Sequence, residues 1–408
     1  MPSCDEIAYI SGIYMGERPL TVAWISYFPV SWLPDLPEPL RAVARLHPAT
    51  WQRVLLEELI GNPSVKLHVL SLQKHFPRDY TFDREGVSFH CLKASLKLRV
   101  GSLFWWDTLL IGRRLRRIRP DLVHAWGFER GAGVVASRLK YPFLVTIQGL
   151  LNWYLQQVDL GPFVRLEARL ERVTLRRASV VTTESRFAVN WLREHYPHLD
   201  IHQAEHAPNW LFHRLARQPK TNPTQFLFIG PMSLLKGTDL LLKALDGLKK
   251  EVQFQLTIVG SSAEEFVGTM RKVTSAALWE RVRILHGLTT AEIAGLLGQS
   301  TIMLFPTRAD TSPNSVKEAV VAGVPVVASA VGGIVDYVVP GKNGLTFAAG
   351  DLDAFTHAIK SALAHPLFRH GRVDPEALEQ MRAYLSPKAM ALEFLRAYDA
   401  LSKQNRAN

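Results

Sequence analysis

The stretch Phe305–Ser329, FPTRADTSPNSVKEAVVAGVPVVAS, decides how the rest of the chain is read. An apolar strand stops at Pro306 and a loop carries Asp310. Ser312 and Pro313 are then expected as the N-cap and first residue of a helix, since a serine hydroxyl satisfies a free N–H and proline tolerates that position. Glu318 falls about one and a half turns into that helix, and a second strand closes the unit at Ser329. Asp310 and Glu318 are separated by seven residues, so one carboxylate sits before the helix and one inside it. They can reach two parts of an extended ligand, and the free N–H groups near Asn314 and Ser315 would meet a phosphate between them.

Strand and helix alternate outward from this unit in both directions. Upstream, strands are expected at Gln225–Gly230, Gln255–Gly260, Val282–Gly287 and Thr301–Pro306, and downstream at Pro325–Ser329 and Gly344–Phe347. Helices begin near Thr238, Ala263, Thr290, Pro313, Gly333 and Leu352, and only helices are expected from about Pro375. The first half repeats the pattern. Its strands are expected at Thr21–Tyr27, Lys66–Leu72, Val87–Leu92, Leu122–Trp126, Phe143–Gln148 and Ser179–Thr183, with helices at Pro48–Leu59, Leu103–Ile118 and Pro162–Arg177. Such alternation implies parallel strands joined by right-handed crossovers. The polar, proline-bearing run PKTNPT, residues 219–224, reads as the linker. The expectation is an α/β protein of two Rossmann-like, doubly wound domains facing a cleft. Residues 1–218 form the first, residues 219–384 the second, and residues 385–408 return to the first.

Composition narrows the function classes. Of 408 residues, 47% are apolar and 21% charged, which fits a globular chain and excludes a disordered one. Two cysteines, Cys4 and Cys91, support neither a disulfide framework nor a cysteine-rich zinc site. No H-E-x-x-H spacing or other ligand cluster suggests a metal, so none is expected. Forty-eight basic against 37 acidic residues leave +11, which favours anionic partners. That charge is spread as +6 through residue 208 and +5 beyond it, without a basic tail or zinc finger, so nucleic acid is not an expected partner. The N-terminus lacks a basic start and a long apolar run. Residues 1–20 are read as an extension before the first strand, and the protein as cytoplasmic.

A second motif is Phe226–Gly237, FLFIGPMSLLKG, where a strand runs into a loop at Gly230 and Lys236-Gly237 opens a helix. Lys236 would present its ammonium to a diphosphate beside the positive end of that helix. Together, these two blocks resemble the diphosphate loop and the E-x7-E region of retaining glycosyltransferases of the GT-B fold, family 4 (group 1). The stretches LTIVG (256–260), VRILHGL (282–288) and VGGIVDYVVPGKNGLTF (331–347) follow in the family's order. The resemblance implies that Glu318 holds the nucleotide ribose, Asp310 contacts the donor sugar, and Lys236 with the helix start at Ser312, Asn314 and Ser315 stabilises the diphosphate. It also implies that the Gly287-Leu288 turn lines the base pocket by backbone contacts. In these blocks the chain departs from the family at three places: Asp310 replaces the usual first Glu, Pro231 stands where an Arg is usual, and Thr311-Ser312-Pro313 replaces Gly-aromatic-Gly.

In the first half, His124 and Trp126 close one strand and Gln148-Gly149 closes the next, so Trp126, Gln148 and Gly149 are candidates for the acceptor side. Many relatives carry a histidine where this chain has Gln148, whose amide can bond a hydroxyl but cannot do acid–base work. His124 is a candidate for that work, against a buried structural role. Gly131–Ala136 fits G-x-G-x-x-A but sits several residues past its strand, with no acid about 20 residues on, so it is rejected as a dinucleotide motif. Asp351-Leu352-Asp353 is read as helix capping, not as a metal-binding D-x-D, and Lys342 in PGKNG lacks the upstream glycine of a P-loop. Ser102–Arg119, SLFWWDTLLIGRRLRRIR, joins an aromatic-apolar half to five arginines. It is read as a helix packed on the sheet, with contact to an acidic membrane surface as the alternative.

The expected activity, as the resemblance implies it, is transfer of a sugar from a nucleotide diphosphate sugar to an acceptor hydroxyl, with retention and no cofactor or metal. The acceptor is expected to be a sugar or a lipid-linked molecule of polysaccharide or glycolipid synthesis, at the inner face of the membrane. Two alternatives stay open: a nucleotide-sugar hydrolase or epimerase of the same fold, and a non-catalytic nucleotide-sugar-binding protein.

Overall fold

The structure is a computed structural model and describes residues 18–43, 49–158 and 160–407. Cys4, most of the expected N-terminal extension and Pro48 lie outside the described residues. The chain forms two compact units. The first comprises residues up to 184, then 188–205 and 387–408; the second comprises 185–187 and 206–386.

The first unit is built on an eight-stranded sheet of β1 (Leu20–Ile25), β2 (Val65–Gln73), β3 (Tyr80–Arg84), β4 (Val87–Lys93), β5 (Leu122–Trp126), β6 (Phe143–Ile147), β7 (Val180–Thr183) and β8 (Asp200–Gln203). The order is β3-β4-β2-β1-β5-β6-β7-β8. All neighbours are parallel except β3, which pairs antiparallel with β4 (Phe82 opposite Phe89). β1 is the centre, with Ala23 facing His68 of β2 on one side and Val123 of β5 on the other. The strands are apolar runs because helices cover both faces of a parallel sheet. One cover is the helix Pro387–Ala407, whose Tyr398 hydroxyl accepts from Trp24 Nε1 at 2.9 Å. The helix expected over Leu103–Ile118 begins at Trp105, because Leu103 and Phe104 adopt left-handed φ of 47° and 65°, and a short helix that was not expected, Leu96–Gly101, precedes it.

The second unit has six parallel strands: β9 (Thr224–Ile229), β10 (Phe254–Val259), β11 (Val282–Leu285), β12 (Ile302–Phe305), β13 (Val326–Ser329) and β14 (Gly344–Phe347). Their order is β11-β10-β9-β12-β13-β14. The chain winds from β9 outward to β11, then crosses to β12 on the other side of β9. Such a reversal opens a crevice at the carboxyl ends of β9 and β12, where doubly wound sheets bind ligands. Phe226, Phe228, Leu241, Phe305 and Val320 lie in the core between sheet and helices.

The division between the units falls at 205/206, whereas the expected linker 219–224 lies inside the second unit. Arg217 explains the shift. Its guanidinium donates to the carbonyls of Ser300 at 2.6 Å and Leu297 at 3.2 Å, and also to those of Gly323 and Gly371. Those bonds tie the segment after residue 206 to the second sheet.

Candidate active site

Lys236 is placed by its loop. Gly237 has φ +68°, and a β-carbon there would lie 1.7 Å from the carbonyl oxygen of Pro306, so only glycine lets this loop cross the end of β12 so closely. Thr307 Oγ1 and the Arg308 N–H both donate to the Leu235 carbonyl, at 3.1 and 2.8 Å. The Arg308 guanidinium grips the Asp239 carboxylate bidentately at 2.7 and 2.8 Å. Held on both sides, the loop sets Lys236 Nζ 2.5 Å from Asp310 Oδ2. The two residues, named separately in the sequence, thus meet at the carboxyl ends of β9 and β12. An ammonium has three donors, so one bond to Asp310 leaves capacity for an anionic ligand.

Asp310 is nearly buried and its second oxygen accepts from the Ser312 N–H at 3.1 Å. The loop after β13 fits around it. A β-carbon on Gly332 would lie 1.7 Å from the Asp310 carbonyl oxygen, and the Gly333 N–H donates to the Thr311 carbonyl at 2.9 Å. Sequence reasoning assigned no role to this Gly-Gly pair or to Arg308 and Asp239. A Gly-Gly separated by two residues from the end of an apolar strand was the available signal for the former.

The helix after Asp310 runs Asn314–Ala322, with Pro313 as N-cap and no side-chain capping bond. This corrects the expectation of Ser312 as N-cap and Pro313 as first helical residue. The Ser312 hydroxyl lies 2.7 Å from the Tyr337 hydroxyl and is held there instead. The first intrahelical donors are Val316 and Lys317, both bonding the Pro313 carbonyl. The half-buried N–H groups of Asn314 and Ser315 remain open to an anion. Glu318 is buried, and burial pushes its carboxyl up to about 8, against the opposing charge of Lys317. An acid so displaced beside a crevice marks a functional candidate.

Gly230 ends β9 beside Gly260; a β-carbon on Gly260 would lie 2.1 Å from the Gly230 carbonyl oxygen. Leu288 is half-buried and packs on the second core, while Gly287 before it has φ +65° and open space around it.

The first unit requires corrections. His124 is 0% exposed, with Nδ1 2.8 Å from the Tyr398 hydroxyl and Nε2 2.6 Å from Thr146 Oγ1. Thr146 continues the chain of bonds to Thr182 at 2.6 Å. A ring so enclosed cannot reach an acceptor hydroxyl, so its role is structural and not acid–base. Trp126 is buried as well, its ring stacked on His124 at 4.6 Å and tilted against Phe394 at 5.4 Å, which removes it from the acceptor side. Gln148 is half-buried, and its Nε2 is itself buried without a hydrogen-bond partner. Gly149 is buried against the Tyr154 ring. Asp351 caps the helix Leu352–Ala364 by accepting from the Ala354 N–H, as the capping reading holds.

Two family models cover most of both units. The model described as Glycosyltransferase Family 4 matches residues 63–209, and that described as Glycosyl transferases group 1 matches residues 223–365. The chain belongs to the group 1, family 4 glycosyltransferases. It is 24% identical over 306 residues to a glycogen synthase of Mycobacterium tuberculosis, covering 71% of this chain and 70% of that one. It is 31% identical over 140 residues to a GDP-mannose-dependent alpha-(1-6)-phosphatidylinositol monomannoside mannosyltransferase of Mycolicibacterium smegmatis, covering 32% and 36%. Among solved structures, sucrose-phosphate synthase from Thermosynechococcus elongatus aligns with TM-score 0.69 at 17% identity, over 95% of this chain and 98% of that one. HepE of Anabaena, in complex with UDP and glucose, aligns at 0.66 and 14%, over 94% and 99%. The glycosyltransferase fold is therefore GT-B, with two Rossmann-like domains.

Proposed function

We propose that this glycosyltransferase moves a sugar from a nucleotide diphosphate sugar to an acceptor hydroxyl with retention at the anomeric carbon. The observation that carries the reading is the Lys236–Asp310 pair beside the open N–H groups of Asn314 and Ser315. A departing diphosphate gains negative charge as the bond to the anomeric carbon breaks, and a fixed ammonium with helix N–H groups stabilises that charge. The acceptor oxygen bonds the same face of the sugar, and its proton passes to the departing phosphate oxygen. Asp310 holds Lys236 and faces the donor sugar, while Glu318 takes the ribose hydroxyls. That the solved HepE holds UDP and glucose, and that a relative is GDP-mannose-dependent, favours screening both uridine and guanosine donors. The test is incubation with UDP- and GDP-sugars and an acceptor panel, with the product's anomeric configuration read by NMR. Inverted product overturns retention. Donor hydrolysis or epimerisation without acceptor supports the related-enzyme alternative, and binding without turnover supports a non-catalytic one.

The same groups suffice for the diphosphate without a divalent ion. Among the described residues, no group of three His, Cys, Asp or Glu side chains is placed to hold a metal. Activity is therefore expected to survive EDTA. Loss on chelation, restored by manganese or magnesium, would assign the diphosphate to a metal instead of Lys236.

The reading extends to the cytoplasmic face of a membrane as the place of action. Among the described residues, no helix is long and apolar enough to cross one. Trp105 is 60% exposed at the start of the helix Trp105–Ile118, with Leu98, Leu103, Trp106 and Leu109 also exposed nearby. Arg113, Arg116 and Arg117 follow on the same helix, exposed. Apolar rings beside guanidinium groups suit an acidic lipid surface, where each basic residue contributes about 1 kcal/mol. Co-sedimentation with phosphatidylglycerol vesicles is expected at low salt and should fade at high salt. Changing Arg113, Arg116 and Arg117 to Gln should abolish it. Wild-type protein that ignores acidic vesicles at low salt would make the helix purely structural.

A further inference from the structure

The first sheet also reverses direction at its centre. β2 and β5 flank β1, so this unit has its own crevice above the carboxyl ends of β1 and β5. A cavity of about 390 Å³ opens there, lined by Tyr27, Lys74, His75, Arg99, Arg130 and Phe163. Tyr27 follows β1, Lys74 and His75 follow β2, and Arg130 follows β5. Among the described residues, no carboxylate lines this cavity. Arg99 is buried and its charge is answered by Asp107, which its Nε meets at 2.8 Å beneath the floor. Lys74 and Arg130 remain as exposed cations with no carboxylate of the described residues bonded to their side chains.

Arg130 is held in place. Its backbone has φ 63°, its N–H donates to Glu167 Oε1 at 2.8 Å, and its carbonyl accepts from Arg99 Nη2 at 3.0 Å. Its guanidinium lies 3.5 Å from the centroid of the Tyr27 ring. Stacking on an aromatic face fixes the plane of the fork that meets anionic oxygens bidentately. Phe163, 45% exposed, offers an open aromatic face on the same cavity.

We propose that this cavity binds a phosphate group on the acceptor, so that the acceptor is a phosphorylated sugar, free or lipid-linked. The acceptor role rests on the glycosyltransferase reading above; the anion site does not. Two exposed cations, Lys74 and Arg130, match a phosphomonoester dianion better than a carboxylate of single charge. The exposed ring of Phe163 suits a sugar face, and the volume lies within the range of small-molecule sites.

The test keeps the donor site out of play by saturating it with whichever nucleoside diphosphate stabilises the protein most. Inorganic phosphate, glucose 6-phosphate, glucuronate and glucose are then titrated by calorimetry. Glucose 6-phosphate is expected to bind at least about tenfold more tightly than glucose or glucuronate. A variant carrying Lys74→Gln and Arg130→Gln should lose that advantage while its nucleoside diphosphate affinity stays within about twofold. Both side chains are exposed, so the fold should tolerate the changes, which a melting curve checks. Displacement of glucose 6-phosphate by vesicles carrying phosphatidic acid, a phosphomonoester lipid, but not by phosphatidylglycerol vesicles of equal charge density, assigns a lipid-linked phosphate, and no displacement by either a soluble one. Equal binding of glucose or glucuronate, or an unaffected double variant, overturns the proposal. If no nucleoside diphosphate binds, the donor reading fails alone, and the phosphate titration still decides the cavity.

Discussion

Lys236→Gln is expected to lower kcat by about 10²–10³-fold, the size of effect seen when one donor to a developing anion is removed from a preorganised site. Nucleoside diphosphate affinity should fall less, because the free N–H groups of Asn314 and Ser315 still meet the phosphates in the ground state. The ammonium matters most when charge accumulates on the departing diphosphate, and its loop is fixed by Gly237, Thr307 and Arg308 before any ligand arrives. The variant carries one confounding cost. Asp310 is only 6% exposed, and removing its partner leaves a nearly buried carboxylate unpaired, which can destabilise by roughly 3–5 kcal/mol. A second variant, Lys236→Gln with Asp310→Asn, removes both charges. It should recover melting temperature without recovering turnover. Wild-type turnover in either variant would remove Lys236 from the transition state.

Sequence reading located this pair but not their contact. Each was visible as a charged residue at a strand-to-helix turn, because apolar runs ending in Gly or Pro mark strand ends clearly. That they touch across 74 residues follows from β12 lying beside β9, a pairing that no local pattern encodes. The strands that escaped notice are β3 (YTFDR) and β8 (DIHQ), both on sheet edges, where polar residues replace the buried apolar run. Ser312-Pro313 has the usual composition of a helix start, yet Tyr337, 25 residues later, takes the serine hydroxyl and moves the boundary by one residue. His124 misled for a similar reason. On a strand buried on both faces, alternation does not say which side chains meet ligand and which meet a covering helix. Its partner Tyr398 arrives 274 residues later from the helix Pro387–Ala407. The linker was misplaced because PKTNPT has the composition of one, whereas the tie that binds its upstream flank is the set of carbonyls around Arg217.

At pH 9, where the carboxyl is ionised, Glu318→Gln should lower nucleoside diphosphate affinity by about tenfold or more, since losing a charged hydrogen bond costs roughly 1.5–3 kcal/mol. The ribose diol donates, and an ionised carboxylate is the better acceptor. Burial holds the carboxyl up to about 8 in the empty site, so at neutral pH a bound ribose must first be met by a largely protonated acid. Binding therefore favours proton release, and wild-type affinity should rise between pH 7 and pH 9 while the Gln variant stays flat. Stability moves in the opposite sense. The unfolded carboxyl ionises near its ordinary value of 4.5, so between there and about 8 the folded state holds a proton that the unfolded state has lost. Folding stability then falls as pH rises through that window, by up to about 1.4 kcal/mol per pH unit, and the Gln variant escapes the loss. The variant should thus melt close to wild type at pH 4 and above it at pH 8, while binding nucleotide more weakly at both pH 7 and pH 9. That opposition separates a ligand-binding acid from a merely buried one. A residue that only packs would change melting alone, and unchanged affinity with unchanged turnover would take Glu318 out of the donor site.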